Sequence, residues 1–501
     1  MKLHSVSRIA ANRENLVNLS LAARLTLWQP VLSRCLLPRV NRLLMSARTL
    51  RSGFLALLVL PAGCAGPVAP AMRYETGDLA WSDRPAVSAG APTQRLDTLL
   101  GDSRLGKLID QALANNPDIG VASARLDRAR AELAGIRGQS SPQISAEAGI
   151  GREFSRASGK SLQLGAKSLR LDASWEPDLF GRIRARGNAG LARSNAAQWE
   201  LQAVRQSVAA EVARAWVQRA TLGRRLQIYD AVIARSEELE RIVRVRQQAG
   251  AATRVELGLQ TIRVLELRER RKLLEQSLDR TRTVLARLTG EPAPGYVAVD
   301  PSPSELQMPD IAPPAPKVML ASRPDIAAAE ELIKAADGDA FAARAAFFPN
   351  LSLSFVGMVE ALTGQPTTQS VSIGSSLLAP IFGRSGLKRD LAVARADQAE
   401  AAELFRKAVL GALGDVEDLL RERALSRERR EIIDKIAGEA KLTAKLGRAQ
   451  YLEGEEDLRT LIDAEELLSD AEESQVLIWQ DEMLLQIALY QASGIAGPRP
   501  D

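Results

Sequence analysis

Histidine is almost missing from this chain: of 501 residues only His4 is one. Imidazole catalysis and histidine-built metal sites are therefore excluded beyond the first few positions. Cysteine is as scarce, with Cys35 and Cys64 alone. Aromatic residues make up 4 % of the chain. Proline is absent between Pro177 and Pro292 and again between Pro380 and Pro498. No Gly-rich phosphate loop or dinucleotide fingerprint follows a strand pattern. Carboxylates abound, but no pair stands apart from helix-surface charge. The expectation is no enzyme, no cofactor and no metal.

The formal charge of +5 comes from the N-terminus. Residues 1–44 carry seven Lys/Arg and one Glu and do not read as a folded domain. "MSARTLRSGFLALLVLPAGC", from Met45, has Arg48 and Arg51, an apolar run from Phe54 to Leu60, and small residues before Cys64. That is the layout of a secretory signal peptide. We expect translation to begin at Met45, with 1–44 an artefactual leader and 45–63 removed. Removing their nine basic and one acidic residues leaves 57 basic against 60 acidic side chains, so no basic surface argues for nucleic acid. Cys35 lies in the leader, so the mature chain forms no internal disulfide. "LPAGC" resembles a lipobox that makes Cys64 the acylated first residue, although Pro61 stands where Leu is usual. Ordinary cleavage after Ala65 is the alternative. The apolar run is too short to span a bilayer as a helix.

The chain says nearly the same thing twice. "DLFGR" at Asp178–Arg182 returns as "PIFGR" at Pro380–Arg384. Asn116-Pro117-Asp118-Ile119 answers Arg323-Pro324-Asp325-Ile326, Pro142 answers Pro349, and Gly250 answers Gly454. Order and spacing are kept, which marks an internal duplication of about 200 residues. The repeats are placed at 101–290 and 317–495. They are separated by a Pro-rich linker at 291–316 and preceded by a Pro/Gly/Ala-rich linker at 64–100.

Each repeat changes period in the same order. After Pro117 apolar residues fall at Ile119, Ala122, Leu126, Ala129, Leu133 and Ile136. After Pro324 they fall at Ile326, Ala329, Ile333, Ala336, Ala340, Ala343 and Phe347. Spacings of three and four mark helices wound on one another, and the many alanines allow close packing. The period then becomes two, giving strands at about 143–153, 168–176, 350–360 and 368–378, each of the length that crosses a bilayer when tilted. A proline-free helical zone follows, broken once at Gly250 and once at Gly454. Ile183 to Ala249 is 67 residues, about 100 Å as a helix.

Alternating strands suit a soluble sheet on a helix layer as well as a membrane wall. Four strands cannot close a barrel, and an open edge has no place in lipid. A membrane role therefore needs several chains, and three would supply twelve strands. The chain resembles the TolC-like outer-membrane efflux channels, in particular the lipoprotein branch of OprM type, over about residues 100–495. The anchors are "ASWEPDLFGRIRA", "SRPDIAAAEELIKAADGDAFAARAAFFPNLSLS", "LLAPIFGRSGLKRDLAVARADQ" and "YLEGEEDLRTLIDAEELLSDAE". The resemblance implies a mainly α protein with a small membrane β-barrel portion. Three protomers would share twelve strands, and their long helices would form an α-barrel in the periplasm. It implies passive export from a Gram-negative cell with a periplasmic adaptor and an inner-membrane pump of RND type, the channel being lipid-anchored in the outer membrane. The rival is a lipid-anchored periplasmic coiled-coil protein of structural or adaptor type.

Within that resemblance Pro177, Phe180 and Gly181, and again Pro380, Phe382 and Gly383, mark where a barrel strand turns into a long helix. Trp175, Phe347 and Phe348 lie near the same boundary, as an aromatic girdle or as ordinary packing. The helix tips, with Gly250 and Thr253 in one repeat and Gly454 and Leu458 in the other, would dock the adaptor. Tyr451 and Asp463 fit the family's gate pattern, and Glu256 stands where some relatives carry a gate acid. A ring of three carboxylates in a narrow mouth attracts cations. The alternative is that this acidic run is a solvated face. Glu456 stands where relatives often carry Arg, so the closed state must be locked in another way.

Overall fold

The computed structural model describes residues 79–82, 95–157, 160–301, 306–363 and 366–494, with the backbone alone at 153–157 and 160–164. Met45, Cys64 and the segments 1–44 and 45–63 lie outside the described residues. The first repeat runs through α1 (Leu96–Leu100), α2 (Ser103–Asn115), α3 (Pro117–Gly138), β1 (Gln143–Ala157), β2 (Lys160–Trp175), α4 (Arg182–Gln248) and α5 (Arg254–Leu288). The second runs through α6 (Pro316–Ser322), α7 (Pro324–Ala345), β3 (Asn350–Leu362), β4 (Thr368–Leu378), α8 (Ser385–Glu453) and α9 (Leu458–Ala492).

The helix starts follow local chemistry. Asn116 caps α3 by accepting from the backbone N–H groups of Asp118 and Ile119, and Pro117 occupies the first turn, where its missing donor costs nothing. Pro324 opens α7 in the same way, although Arg323 supplies no side-chain cap. α4 has 67 residues and α8 has 69, and the 35-residue helices α5 and α9 fold back along their far halves. The near half of α4 packs on α3 and α7, and α8 packs on α7 and α9. Small residues let these helices approach. A Cβ built on Gly338 of α7 would lie 2.9 Å from the Ala185 carbonyl of α4, so any larger residue there would force the pair apart.

The four strands form one antiparallel sheet in the order β1-β2-β3-β4. β1 and β2 run several residues beyond the alternating stretches at 143–153 and 168–176. The ladder continues as long as the backbone register holds, while the apolar alternation that betrays a strand stops earlier.

The largest core lies at mid-height, not in the sheet. Trp216 of α4 is fully buried there with Leu100, Leu105, Leu285, Met319, Met483 and Ile487. The segments expected as linkers are drawn into it. Leu306 and Ile311 are buried in this core, and Trp81 joins them while donating through Nε1 to the Pro314 carbonyl at 2.9 Å. Both stretches therefore contribute packed segments, although Val297 stays 85 % exposed. α2, which the sequence reading passed over, fills the same core with Leu105, Leu108 and Ile109.

Candidate functional site

The sheet has two faces of opposite character. Directly paired residues in an antiparallel ladder share a face, and the register aligns Ile144, Ala173, Phe355 and Ile373 in one row and Ala146, Leu171, Gly357 and Val371 in the next. This apolar face has no cover among the described residues: Ile144 is 71 % and Ile373 82 % exposed. The opposite face carries Glu147, Arg170 and Asp172 on β1 and β2 and serines on β3 and β4, with Val356 and Met358 of β3 among them, and Arg170 Nε lies 2.8 Å from Asp172 Oδ2. β1 and β4 are both sheet edges.

Where the sheet meets the helices, β2 ends at Trp175 and β4 at Leu378, each followed two residues later by proline, which cannot donate to a ladder. Gly181 and Gly383 then take φ of 76° and 73°, the left-handed region that turns the chain into α4 and α8. Phe180 stacks on Phe348 with centroids 5.0 Å apart, and Trp175 Nε1 donates to the Ser140 carbonyl at 2.9 Å. Phe382, its counterpart in the second repeat, is 92 % exposed.

At the opposite end the two tips are built alike. Gly250 and Gly454 take φ of 77° and 83° and close α4 and α8 with paired backbone hydrogen bonds, from Ala251 to Arg246 and from Glu455 to Gln450. Three residues on, Thr253 and Asp457 cap α5 and α9. The backbone N–H of Thr460, aimed at the Asp457 carboxylate from 2.7 Å, holds that group below its ordinary pKa.

The structure distributes the expected gate residues unevenly. Tyr451 is buried among Leu239, Val243, Leu257, Leu458 and Leu461, where both hairpins meet. Leu458, expected on a docking surface, is inside this cluster and shapes the tip from within. Asp463 is exposed on α9, 3.9 Å from Arg459 one turn back. Glu256 is tied into a capping box: its carboxylate accepts from the Thr253 backbone N–H while Thr253 Oγ1 accepts from the Glu256 N–H at 3.1 Å. Thr253→Ala should remove about 1 kcal/mol from the start of α5, read as faster amide exchange in its first turn. Glu256→Gln keeps the box and removes only the charge, so amide exchange in the first turn of α5 should stay as in the unaltered chain.

Arg246, in the last turn of α4, escaped the sequence reading. Its guanidinium lies 4.5 Å from the Tyr451 ring centroid, and its Nη2 donates to the Tyr451 and Leu452 carbonyls, both at 3.1 Å. It ties the end of α4 to the end of α8, where a cation also suits the exposed helix carbonyls. Further up, arginines of the first repeat reach acids of α9. Arg235 stands 3.3 Å from Glu465, Arg263 3.1 Å from Glu466, and Arg225 Nε donates to Glu473 at 2.8 Å. Arg193 of α4 likewise meets Asp339 of α7. A cavity of about 20 Å³ lies beside Arg235, Gln260 and Glu465, room for one water. Burial, with Glu466 close by, pushes the Asp470 carboxyl up.

Known proteins share this architecture. The channel OprN superposes with a TM-score of 0.77 at 26 % identity, over 85 % of this chain and 99 % of its own. CusC gives 0.75 at 22 % identity, a likeness of fold. The pyoverdine export outer membrane protein OpmQ of Pseudomonas putida is 30 % identical over 447 residues, 86 % of this chain and 94 % of its own. OprJ of Pseudomonas aeruginosa is 29 % identical over 434 residues, 82 % and 89 % of the two chains. The family model described as "Outer membrane efflux protein" matches residues 108–291 and 315–495, one stretch for each repeat. The chain belongs to the outer membrane efflux protein family.

Proposed function

We propose that three copies of this chain form the exit duct of a tripartite efflux system. A periplasmic adaptor meets the helix tips and an inner-membrane pump of RND type delivers the cargo. One observation carries this reading: a four-stranded sheet with a bare apolar face on one side and two open edges. Unpaired strand edges cost several kcal/mol per group in hydrocarbon. Pairing β4 of one protomer with β1 of the next satisfies both edges and closes twelve strands around a lumen lined by Glu147, Arg170, Asp172 and the serines. The long helices continue the wall as an α-barrel, and conduction through it is passive. Acylation of Cys64 would add a second hold on the membrane.

The gate sits at the tips. Asp463, exposed and repeated three times around the opening, supplies the charge, and Tyr451 with Arg246 fixes the helix ends in the closed arrangement. Gly250, Thr253 and Gly454 shape the turns an adaptor would grasp, and Leu458 supports them from beneath. Glu256 serves its own helix cap, which leaves Asp463 as the selectivity group.

Purified mature protein should migrate as a heat-modifiable trimer and conduct in planar bilayers. A water-soluble monomer with no conductance would defeat the channel. Asp463→Ala should weaken cation preference and raise closed-state leak, and a variant unchanged in both would remove Asp463 from the gate.

A further inference from the structure

We propose that Arg152 and Lys167 form a binding site for phosphorylated lipid headgroups on the outside of the barrel, at the rim farthest from the helices. The site rests on the barrel reading above and adds a ligand to its outer wall.

The strand register supplies the argument. The apolar face holds Ile144, Ala146, Ala148 and Ile150 on β1 and Leu169, Leu171, Ala173 and Trp175 on β2. It continues with Leu351, Leu353, Phe355, Gly357, Val359 and Ala361 on β3 and Val371, Ile373, Ser375 and Leu377 on β4. Among the described side chains on that face only Arg152 and Lys167 are charged. Charges scattered at random over a soluble surface would not respect the face so strictly, and Glu147, Arg170, Asp172 and Glu360 all lie on the other one. From Leu351 to Ala361 the apolar band rises about 25 Å once strand tilt is allowed for, which is the height of a bilayer-facing belt. Lys167 and Arg152 stand where that band ends, at the depth where a lipid-facing cation ceases to be costly and meets headgroups.

The two side chains are neighbours. Lys167 pairs with Ile150 and Arg152 with Gly165, so they are diagonal partners on adjacent strands, about 7–8 Å apart at Cα. The residue facing Arg152 is Gly165, so no side chain of its own stands between the two cations, and the Thr363 hydroxyl lies 2.8 Å from where its Cβ would be. Both are exposed, and no described acid forms an ion pair with either. A phosphate fits such a pair, with the guanidinium donating in its plane and the ammonium as a point charge. The acyl chains below it would lie on Ile150 and Val359. A free phosphate gains nothing from that apolar floor, so the lipid-borne group is favoured.

The test uses the full mature chain in a zwitterionic detergent, with diphosphoryl lipid A, its dephosphorylated form, and inorganic phosphate as probes. Native mass spectrometry counts retained lipid, and each variant is checked for conductance. Wild type and Arg170→Gln, altered on the opposite face, should hold the phosphorylated lipid about tenfold more tightly than the dephosphorylated one. Arg152→Gln/Lys167→Gln should hold the two equally. A double variant that keeps the preference would overturn the site, as would an Arg170→Gln variant that loses as much. Displacement by millimolar inorganic phosphate alone would make it a free-anion site and overturn the lipid assignment. A wild type that neither inserts nor conducts would sink the barrel reading and this site together. A conducting wild type with no headgroup preference would sink the site alone.

Discussion

Trp216→Ala is expected to lower the stability of the protomer by about 3–5 kcal/mol, the cost of an aromatic cavity in a closed core. Trp216 is 0 % exposed and sits where α1, α2, α4, α6, α8 and α9 converge. Its Nε1 donates to Asp102 Oδ2 at 3.2 Å, and Arg104 lies 6.0 Å from its ring. The substitution therefore empties a volume and strips a buried carboxylate of a donor. Burial alone would push the Asp102 carboxyl up, but hydrogen bonds from Arg104 outweigh it and hold the group below its ordinary value. A depressed carboxyl contributes stability above its unfolded pKa, near 4, and loses that contribution as pH falls through the lower folded value. Part of the core's stability should accordingly vanish in strong acid, and Asp102→Asn should flatten this dependence. Thermal melts of detergent-solubilised protein across pH would read both effects. Trp216→Phe, which keeps most of the volume and loses the hydrogen bond, should cost far less than alanine. Equal losses would shift the explanation from cavity to hydrogen bond.

The second large effect is expected at the tips. Arg246→Ala removes a cation from the Tyr451 ring and two charge-assisted hydrogen bonds to the end of α8. If these are worth about 2 kcal/mol in the closed arrangement alone, the open population should rise about thirtyfold. Single-channel recordings would show this as leak. Arg246→Lys keeps a charge near the helix carbonyls and loses the flat stacking surface, so its leak should fall between the two. An Arg246→Ala channel as tightly shut as wild type would mean that the clasp is decoration, and that closure depends on contacts between protomers.

Much of this molecule was legible in the linear chain because its signals are periodic. "DLFGR" and "PIFGR" announced the duplication. The switch from spacings of three and four to spacings of two located all four strands, and the single glycines in long proline-free zones located both tips. The missed pieces share a physical cause. Trp81, Leu306 and Ile311 sit in Pro-rich stretches whose composition reads as linker, and only the core that receives them reveals their burial. Arg246 is one arginine among many on a helix, and its role depends on an aromatic ring 205 residues further along. Thr253 and Glu256, by contrast, carry a capping-box spacing that is legible in the sequence itself.

Among the described residues the ion pairs between the repeats point one way: Arg193, Arg225, Arg235 and Arg263 come from the first, and Asp339, Glu473, Glu465 and Glu466 from the second. The ancestral halves have thus diverged into lock and key, and they are no longer interchangeable. In the first repeat the places of Asp339 and Glu473 hold Glu132 and Glu269, but those of Glu465 and Glu466 hold Thr261 and Ile262, so a chain assembled from two first halves would lose the pairs nearest the tips.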